Sequence, residues 1–232
     1  MNGGARDWAG VIGVFVGIAV VVALGLGIGD RVRSNSYVFV DNASDVPAVV
    51  KLDGEESLTV APKTVGVVYT RHGDHQIRVE RVGQAVFEKQ VTLESPGFFQ
   101  VKKYILNPQG ESGYWVRTLT YGTGFAMPPP NLTGLDDAYI SIARMITLLD
   151  TTEWFLVPAD MSDYVLNEVP PESIELPKGQ SSTTKKQICR MARSEYELIK
   201  SAPSRQNVTE EEVKALATVV DRVRNIAEQA GP

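Results

Sequence analysis

The sequence predicts a mainly β protein: an N-terminal transmembrane helix, an antiparallel β-sandwich, then an α/β extension ending in two helices. Three observations predict it. They are an uncharged run from Trp8 to Gly29, a series of short apolar segments separated by turn residues from Tyr37 to Tyr121, and helix-start signals near the C-terminus. The expected organisation is a tail and transmembrane helix over 1–33, a β-sandwich over 34–122, a connector with additional strands over 123–180 and a helical hairpin over 181–232.

The first element rests on the stretch RDWAGVIGVFVGIAVVVALGLGIGDRVR. About 22 uncharged residues rising about 1.5 Å each give roughly 33 Å of helix, enough to cross a hydrocarbon core. A secretory signal has a shorter apolar region, about 7 to 15 residues, before a small-x-small cleavage site. Ala23-Leu24-Gly25 offers such a site, but the apolar run continues to Ile28, which favours a retained anchor over a cleaved signal. The expected partner is therefore the lipid bilayer through residues 8–29, and the expected location is the cell membrane, crossed once. Arg6 with Asp7 on one side nearly balances Arg31 and Arg33 with Asp30 on the other, so charge leaves the orientation open. A short tail ahead of a long body leans toward an extracytoplasmic body. Gly10, Gly13 and Gly17 share one helix face, and Gly13-Val-Phe-Val-Gly17 has the spacing that lets two helices approach closely in lipid. Self-association through that face competes with a simple tether.

The sandwich follows. YVFVDN is the first strand, and AVVKLDGEESLTV is two strands around Asp53-Gly54, the pair that a two-residue type I′ hairpin demands. GVVYT leads through RHGD to HQIRVERV, where His75, Ile77 and Val79 alternate with Gln76, Arg78 and Glu80, as on a sheet with one wet face. Gly83 precedes AVFEKQVTL, Pro96-Gly97 precedes FFQVKKYIL, and Asn107-Pro108-Gln109-Gly110 precedes GYWVRTLTY. Turn chemistry between each pair indicates antiparallel connections.

The Asn-containing first strand, the apolar strand ending in LDG, Gly73-Asp74-His75 leading into QIRV, and the Gly-containing turn after it together resemble the PEGA and carboxypeptidase-regulatory-like sandwiches. The resemblance covers Tyr37 to Leu93, and the usual Pro-Gly-Ala entry of PEGA domains is absent. It implies a non-catalytic display or adaptor module of bacterial membrane-anchored proteins and carries over no active-site residue.

After Tyr121, GTGFAMPPPNLTG reads as a connector, DDAYISIARMITLLD as a short helix, EWFLVP and DYVLNEV as strands, and PPESIELPKGQSSTT as a surface loop. Two helices close the chain. In the first, Thr184 and Gln187 have capping-box spacing, with Ile188, Met191, Ala192, Leu198 and Ile199 as an apolar side. In the second, Thr209 and Glu212 form a capping box, and Val213, Leu216, Val220, Val223 and Ala227 repeat at 3-4-3-4 spacing. Barely two heptads favour packing within the molecule over a coiled coil between chains.

Composition narrows the function. The chain has 232 residues, 43% hydrophobic, a formal net charge of -5 and a single cysteine, Cys189. Lys and Arg form no basic stripe, so no nucleic acid is expected as a partner. One cysteine makes neither an intrachain disulfide nor a cysteine-based zinc site. His72, Asp74 and His75 in RHGDH could supply metal ligands, but they sit where a turn and a strand start require them, and a further ligand is missing. Glu55-Glu56 and Asp136-Asp137 read as a solvated turn and a helix start. No phosphate loop, serine elbow or HExxH motif is present, and no enzyme activity, metal or cofactor is expected.

The expected function is a single-pass membrane-anchored β-sandwich protein acting as a non-catalytic interaction or structural module at the cell membrane or envelope. Its partner is an unidentified protein or a second copy. The alternative is a membrane-tethered module binding envelope polysaccharide on an aromatic platform. The candidate contacts are Trp115, Tyr121, Leu216, Val220 and Val223, and burial of Trp115 weakens the alternative.

Overall fold

Strand β1, Asn35–Asn42, carries apolar side chains on both faces, and this decides the architecture. Val38 and Val40 point one way and Phe39 the other, all at most 2% exposed, so the sheet containing β1 must be covered on both sides. The computed structural model describes residues 35–95, 101–122, 134–150, 152–161, 163–166 and 168–229.

The remaining strands are β2 (Ala48–Leu52), β3 (Glu55–Val60), β4 (Thr64–Arg71), β5 (Gly73–Arg81), β6 (Gln84–Leu93), β7 (Lys103–Leu106), β8 (Ser112–Gly122), β9 (Thr147–Leu149), β10 (Trp154–Leu156), β11 (Tyr164–Val165) and β12 (Ser182–Ala192). The helices are α1 (Leu135–Ala143), α2 (Arg193–Ser201) and α3 (Glu210–Gln229). The strands form three four-stranded sheets: an outer sheet in the order β3-β2-β5-β6, a central sheet β10-β7-β1-β4 and a helix-backed sheet β11-β12-β8-β9.

Three apolar clusters bond these into layers. Val38, Val40, Val68 and Leu106 of the central sheet meet Val50, Ile77, Val79 and Phe87 of the outer sheet. Phe39 and Ile105, on the other face of the central sheet, meet Tyr114, Leu149 and Ile188 of the helix-backed sheet. Trp115, Cys189 and Met191, on the far face of that sheet, meet Tyr139, Tyr196, Ile199, Leu216 and Val220 of the helices. The stacking order is outer sheet, central sheet, helix-backed sheet, helices. At Gly113 a Cβ would lie 2.3 Å from the Cβ of Tyr196, so only glycine lets α2 lie this close on β8.

The fold class expected from the sequence is corrected by this arrangement. The described residues form a mixed β/α fold of three sheets and three α-helices, not a mainly β chain built on one antiparallel sandwich. β1 pairs in parallel with β7, which needs the long excursion through β2 to β6 between them. β8 leaves the first two sheets and pairs along its length with β12, from Gly122 with Ser182 to Ser112 with Ala192. Residues 182–192, expected to start a helix, are therefore a strand, and α2 begins only at Arg193. The apolar spacing of Ile188, Met191 and Ala192 is not helical amphipathicity: Cys189 and Met191 face the helices, and Ile188 faces the central sheet.

The membrane expectation is corrected as well. Among the described residues no helix is long and apolar enough to cross a membrane. The longest, α3, has 20 residues but carries Glu210, Glu211, Glu212, Lys214, Asp221, Arg222 and Arg224. Residues 8–29, with Gly10, Gly13 and Gly17, lie outside the described residues. Single-pass anchoring, the bilayer as a partner through residues 8–29 and a cell-membrane location thus have no support in the structure, and neither has a membrane-anchored sandwich module as the function.

Candidate functional site

Asp41 ends the apolar run of β1 and points from the central sheet toward the helix-backed sheet, fully buried. Two strands of that sheet answer it. Tyr114 and Arg190 are register partners on β8 and β12, so their side chains leave the sheet side by side. The Tyr114 hydroxyl donates to Asp41 Oδ2 at 2.8 Å, and Arg190 Nη1 donates to Asp41 Oδ1 at 2.7 Å. Arg190 Nη2 donates to the Lys63 carbonyl at 2.9 Å, tying in the turn between β3 and β4. Burial above all, and then the Asp41 charge beside it, hold the Tyr114 phenol well above its ordinary range. The hydroxyl is thus a fixed proton donor to Asp41.

The Arg190 side chain is 33% exposed because it looks into a cleft of about 430 Å³. Lys63, Glu111, Ser112, Arg190, Arg193 and Glu195 supply its polar lining. Glu111 takes a two-pronged ion pair from Arg81, at 2.9 and 2.7 Å. Glu195 accepts the Ala192 amide at 3.3 Å with one oxygen and pairs with Arg222 through the other.

The other chemistry-bearing side chains are engaged elsewhere. His75 sits between Asp53 Oδ2, 2.8 Å from Nδ1, and the Arg71 carbonyl, 2.9 Å from Nε2. The hydrogen bonds from His75 and from the Gln76 amide keep the Asp53 carboxyl below its usual range. Asp74 accepts the Thr92 hydroxyl at 2.6 Å. No group of three or more His, Cys, Asp or Glu is placed to hold a metal among the described residues. Burial pushes the Cys189 thiol up to about 12, so it packs as an apolar residue.

Of the candidate contacts, Trp115 is 4% exposed and packs under the helices, opposite to Tyr114 as strand alternation requires. It offers no platform to a sugar, which weakens the polysaccharide-binding alternative. Tyr121 is half-buried, and its hydroxyl donates to the Pro171 carbonyl at 3.0 Å. Leu216, Val220 and Val223 lie in the core between the helices and the helix-backed sheet. The structure brings Leu216, Val220, Val223 and Trp115 into one cluster and leaves Tyr121 at the far end of β8. Val223 alone among the five also reaches the cleft. Sequence reasoning missed Asp41, Lys63 and Arg190. The available signal was a carboxylate directly after the run Tyr37 to Val40, which is apolar on both faces. Comparison with protein-family profiles, curated proteins and solved structures finds no match, and the resemblance of Tyr37 to Leu93 to PEGA-like sandwiches draws no support from it.

Proposed function

We propose that the protein is a non-catalytic interaction domain that accepts an extended segment of a partner protein as an added strand beside β4. The observation that carries this reading is the state of its edge. β4 pairs with β1 on one side and with no other strand among the described residues. Its eight residues, TVGVVYTR, carry no charge before Arg71. Tyr69 is 64% exposed and meets Tyr37 edge-on with ring centroids 4.9 Å apart, and the half-buried Val65 and Val67 share its face. An open edge offers main-chain donors and acceptors for affinity, and its side-chain face offers specificity.

The other edges are defended. β6 is longer, ten residues, but carries Glu88 and Lys89 at mid-strand, and its pairing with β5 is broken by a bulge at Val79 and Glu80. β3 carries Glu55 and Glu56 and a bulge opposite Val50 and Lys51. β9, β10 and β11 have three residues or fewer. Charges, bulges and shortness are how sheets discourage added strands, and β4 has none of the three before Arg71 at its end. In favour of a non-catalytic role, both carboxylates of the cleft are held in ion pairs and the one thiol is buried.

The test is selection of ten-residue peptides from a random library against the full chain. Binders should alternate β-branched or aromatic residues with polar ones, lose binding when alternate peptide nitrogens are methylated, and fail against Tyr69→Lys, an exposed change that leaves the fold intact. Binders indifferent to both methylation and Tyr69→Lys would refute strand addition at β4.

A further inference from the structure

We infer that the cleft between the β3–β4 turn, the start of β8 and the start of α2 is a binding site for a small multivalent oxyanion. The argument is one of donors against acceptors. The cleft lining holds two carboxylates, and all four of their oxygens are engaged: those of Glu111 by Arg81, those of Glu195 by the Ala192 amide and Arg222. Its cations keep hydrogens to spare. Arg190 spends two N–H groups, on Asp41 and on the Lys63 carbonyl, out of the five that a guanidinium carries. Lys63 Nζ donates to the Ala43 carbonyl at 2.6 Å and pairs with Asp45, which is 90% exposed. Arg193 lies against the Tyr196 ring and pairs with Glu197, which is 52% exposed.

Formal charges around the cleft balance, since Asp41, Asp45, Glu111, Glu195 and Glu197 face Lys63, Arg81, Arg190, Arg193 and Arg222. The balance is unequal in strength. The pairs of Lys63 and Arg193 are with solvent-exposed carboxylates, and such pairs contribute little and exchange readily. An oxyanion entering the cleft therefore competes with two weak pairs and leaves the pair of Arg190 with the buried Asp41 intact. One further donor points the same way. Ser112, 1% exposed, is part of the lining, and its hydroxyl, close to that of Tyr114, completes no hydrogen bond. The first turn of α2 also borders the cleft, with the Glu195 carboxylate at its third position accepting the Ala192 amide. The cleft volume, about 430 Å³, is that of a small-ligand site.

The oxyanion chemistry is shared by phosphate and by multivalent carboxylates, and separate titrations distinguish them. Inorganic phosphate and citrate are each titrated into the ¹⁵N-labelled full chain at constant ionic strength, following the amides of Lys63, Ser112, Arg190 and Arg193. At least one should give saturable shifts confined to these amides. The Lys63→Gln/Arg193→Gln double variant, which alters two side chains that reach solvent and should keep a melting temperature near that of the wild type, should bind at least about tenfold more weakly. Saturation by phosphate alone or by citrate alone would name the source. Shifts that never saturate with either anion, or saturation unchanged in the double variant, would overturn the inference. It does not depend on strand addition at β4, because the double variant leaves Tyr69 untouched.

Discussion

The two faces of the helix-backed sheet are held by different physics. Its helix side is a dry apolar contact: Trp115, Cys189 and Met191 meet Tyr139, Tyr196, Ile199, Leu216 and Val220. Its central-sheet side is apolar in the middle, through Tyr114 and Ile188 against Phe39 and Ile105, but ends in a polar trio, buried Asp41 and Tyr114 with half-buried Arg190. Apolar contact is non-directional and loses stability in proportion to the area removed. A buried ion pair is directional, and removal of one partner strands the other. The two faces should therefore fail differently.

The largest effect is expected where a charge is left without its partner. Asp41→Ala removes the acceptor of both Arg190 and Tyr114, and should cost about 4 kcal/mol in urea denaturation of the full chain. Arg190, which reaches solvent through the cleft, limits the loss. A double variant with Arg190→Met should recover much of it. If Asp41→Ala costs under about 1 kcal/mol, the trio is not what locks the two sheets.

On the helix side, Leu216 is completely buried, and Leu216→Ala should cost about 3 kcal/mol through the lost transfer energy and the cavity left behind. No second substitution of a single neighbour should rescue it, since the cavity is lined by several elements. An unchanged midpoint would mean that the helices hardly contribute to the stability of the sheet they cover.

How far each face could be read from the sequence follows from the same contrast. The stripe of Leu216, Val220 and Val223 is a local periodic pattern and was visible. So was the hairpin at Asp53-Gly54, where both residues have positive φ, 54° and 87°. The trio was not visible, because its members lie 73 and 149 positions from Asp41 and no local pattern links them. The strand at 182–192 was misread for a related reason: it opens on the polar run STTKKQ and is buried on both faces only from Gln187 to Cys189, so it shows no alternation of apolar and polar residues. Val82 was also invisible, a β-branched residue at φ 52° in the turn before β6, where sequence rules would place Asn or Asp. Of the cleft lining, the sequence points to Met191 and Ala192 only as the apolar side of a helix and to Val223 as a stripe residue and a possible partner contact, and to none of them as part of a cleft wall.

A finer cut through the polar face is Tyr114→Phe, which keeps the ring packed on Phe155 and removes one donor to Asp41. The expected cost is about 2 kcal/mol, the worth of a hydrogen bond to a charged group. The phenol pKa is raised in the folded protein, so its contribution is fully present below the ordinary tyrosine value of 10.0 and is lost as pH climbs from there toward the folded value. Wild-type stability should thus fall on the alkaline side of pH 10, and the Tyr114→Phe variant should show a flatter fall. Identical alkaline limbs would place the titrating group elsewhere, with Tyr104 and Tyr121 as the next candidates since their phenols are also raised.

The smallest expected effect lies at the start of α3, where the helix side meets water. Thr209 Oγ1 accepts the Glu212 amide at 3.2 Å, and Glu212 Oε2 accepts the Thr209 amide at 2.9 Å, a reciprocal cap. Thr209→Ala removes only the hydroxyl half and should cost about 1 kcal/mol. The Glu212 carboxyl is held below its ordinary value of 4.5, first by the Thr209 amide and then by the Thr209 hydroxyl. Its contribution is therefore present above pH 4.5 and disappears as acid takes the pH down through the depressed folded value. The Thr209→Ala variant keeps the backbone amide that donates to Glu212, so its acid-side loss should shrink without vanishing. Glu212→Gln should remove that loss while leaving stability near neutral pH only slightly lower, because a glutamine oxygen still accepts the amide. If Thr209→Ala instead cost as much as Leu216→Ala, the helix side would depend on the order of its first turn and not on apolar docking. The contrast between the two faces of the sheet would then fail.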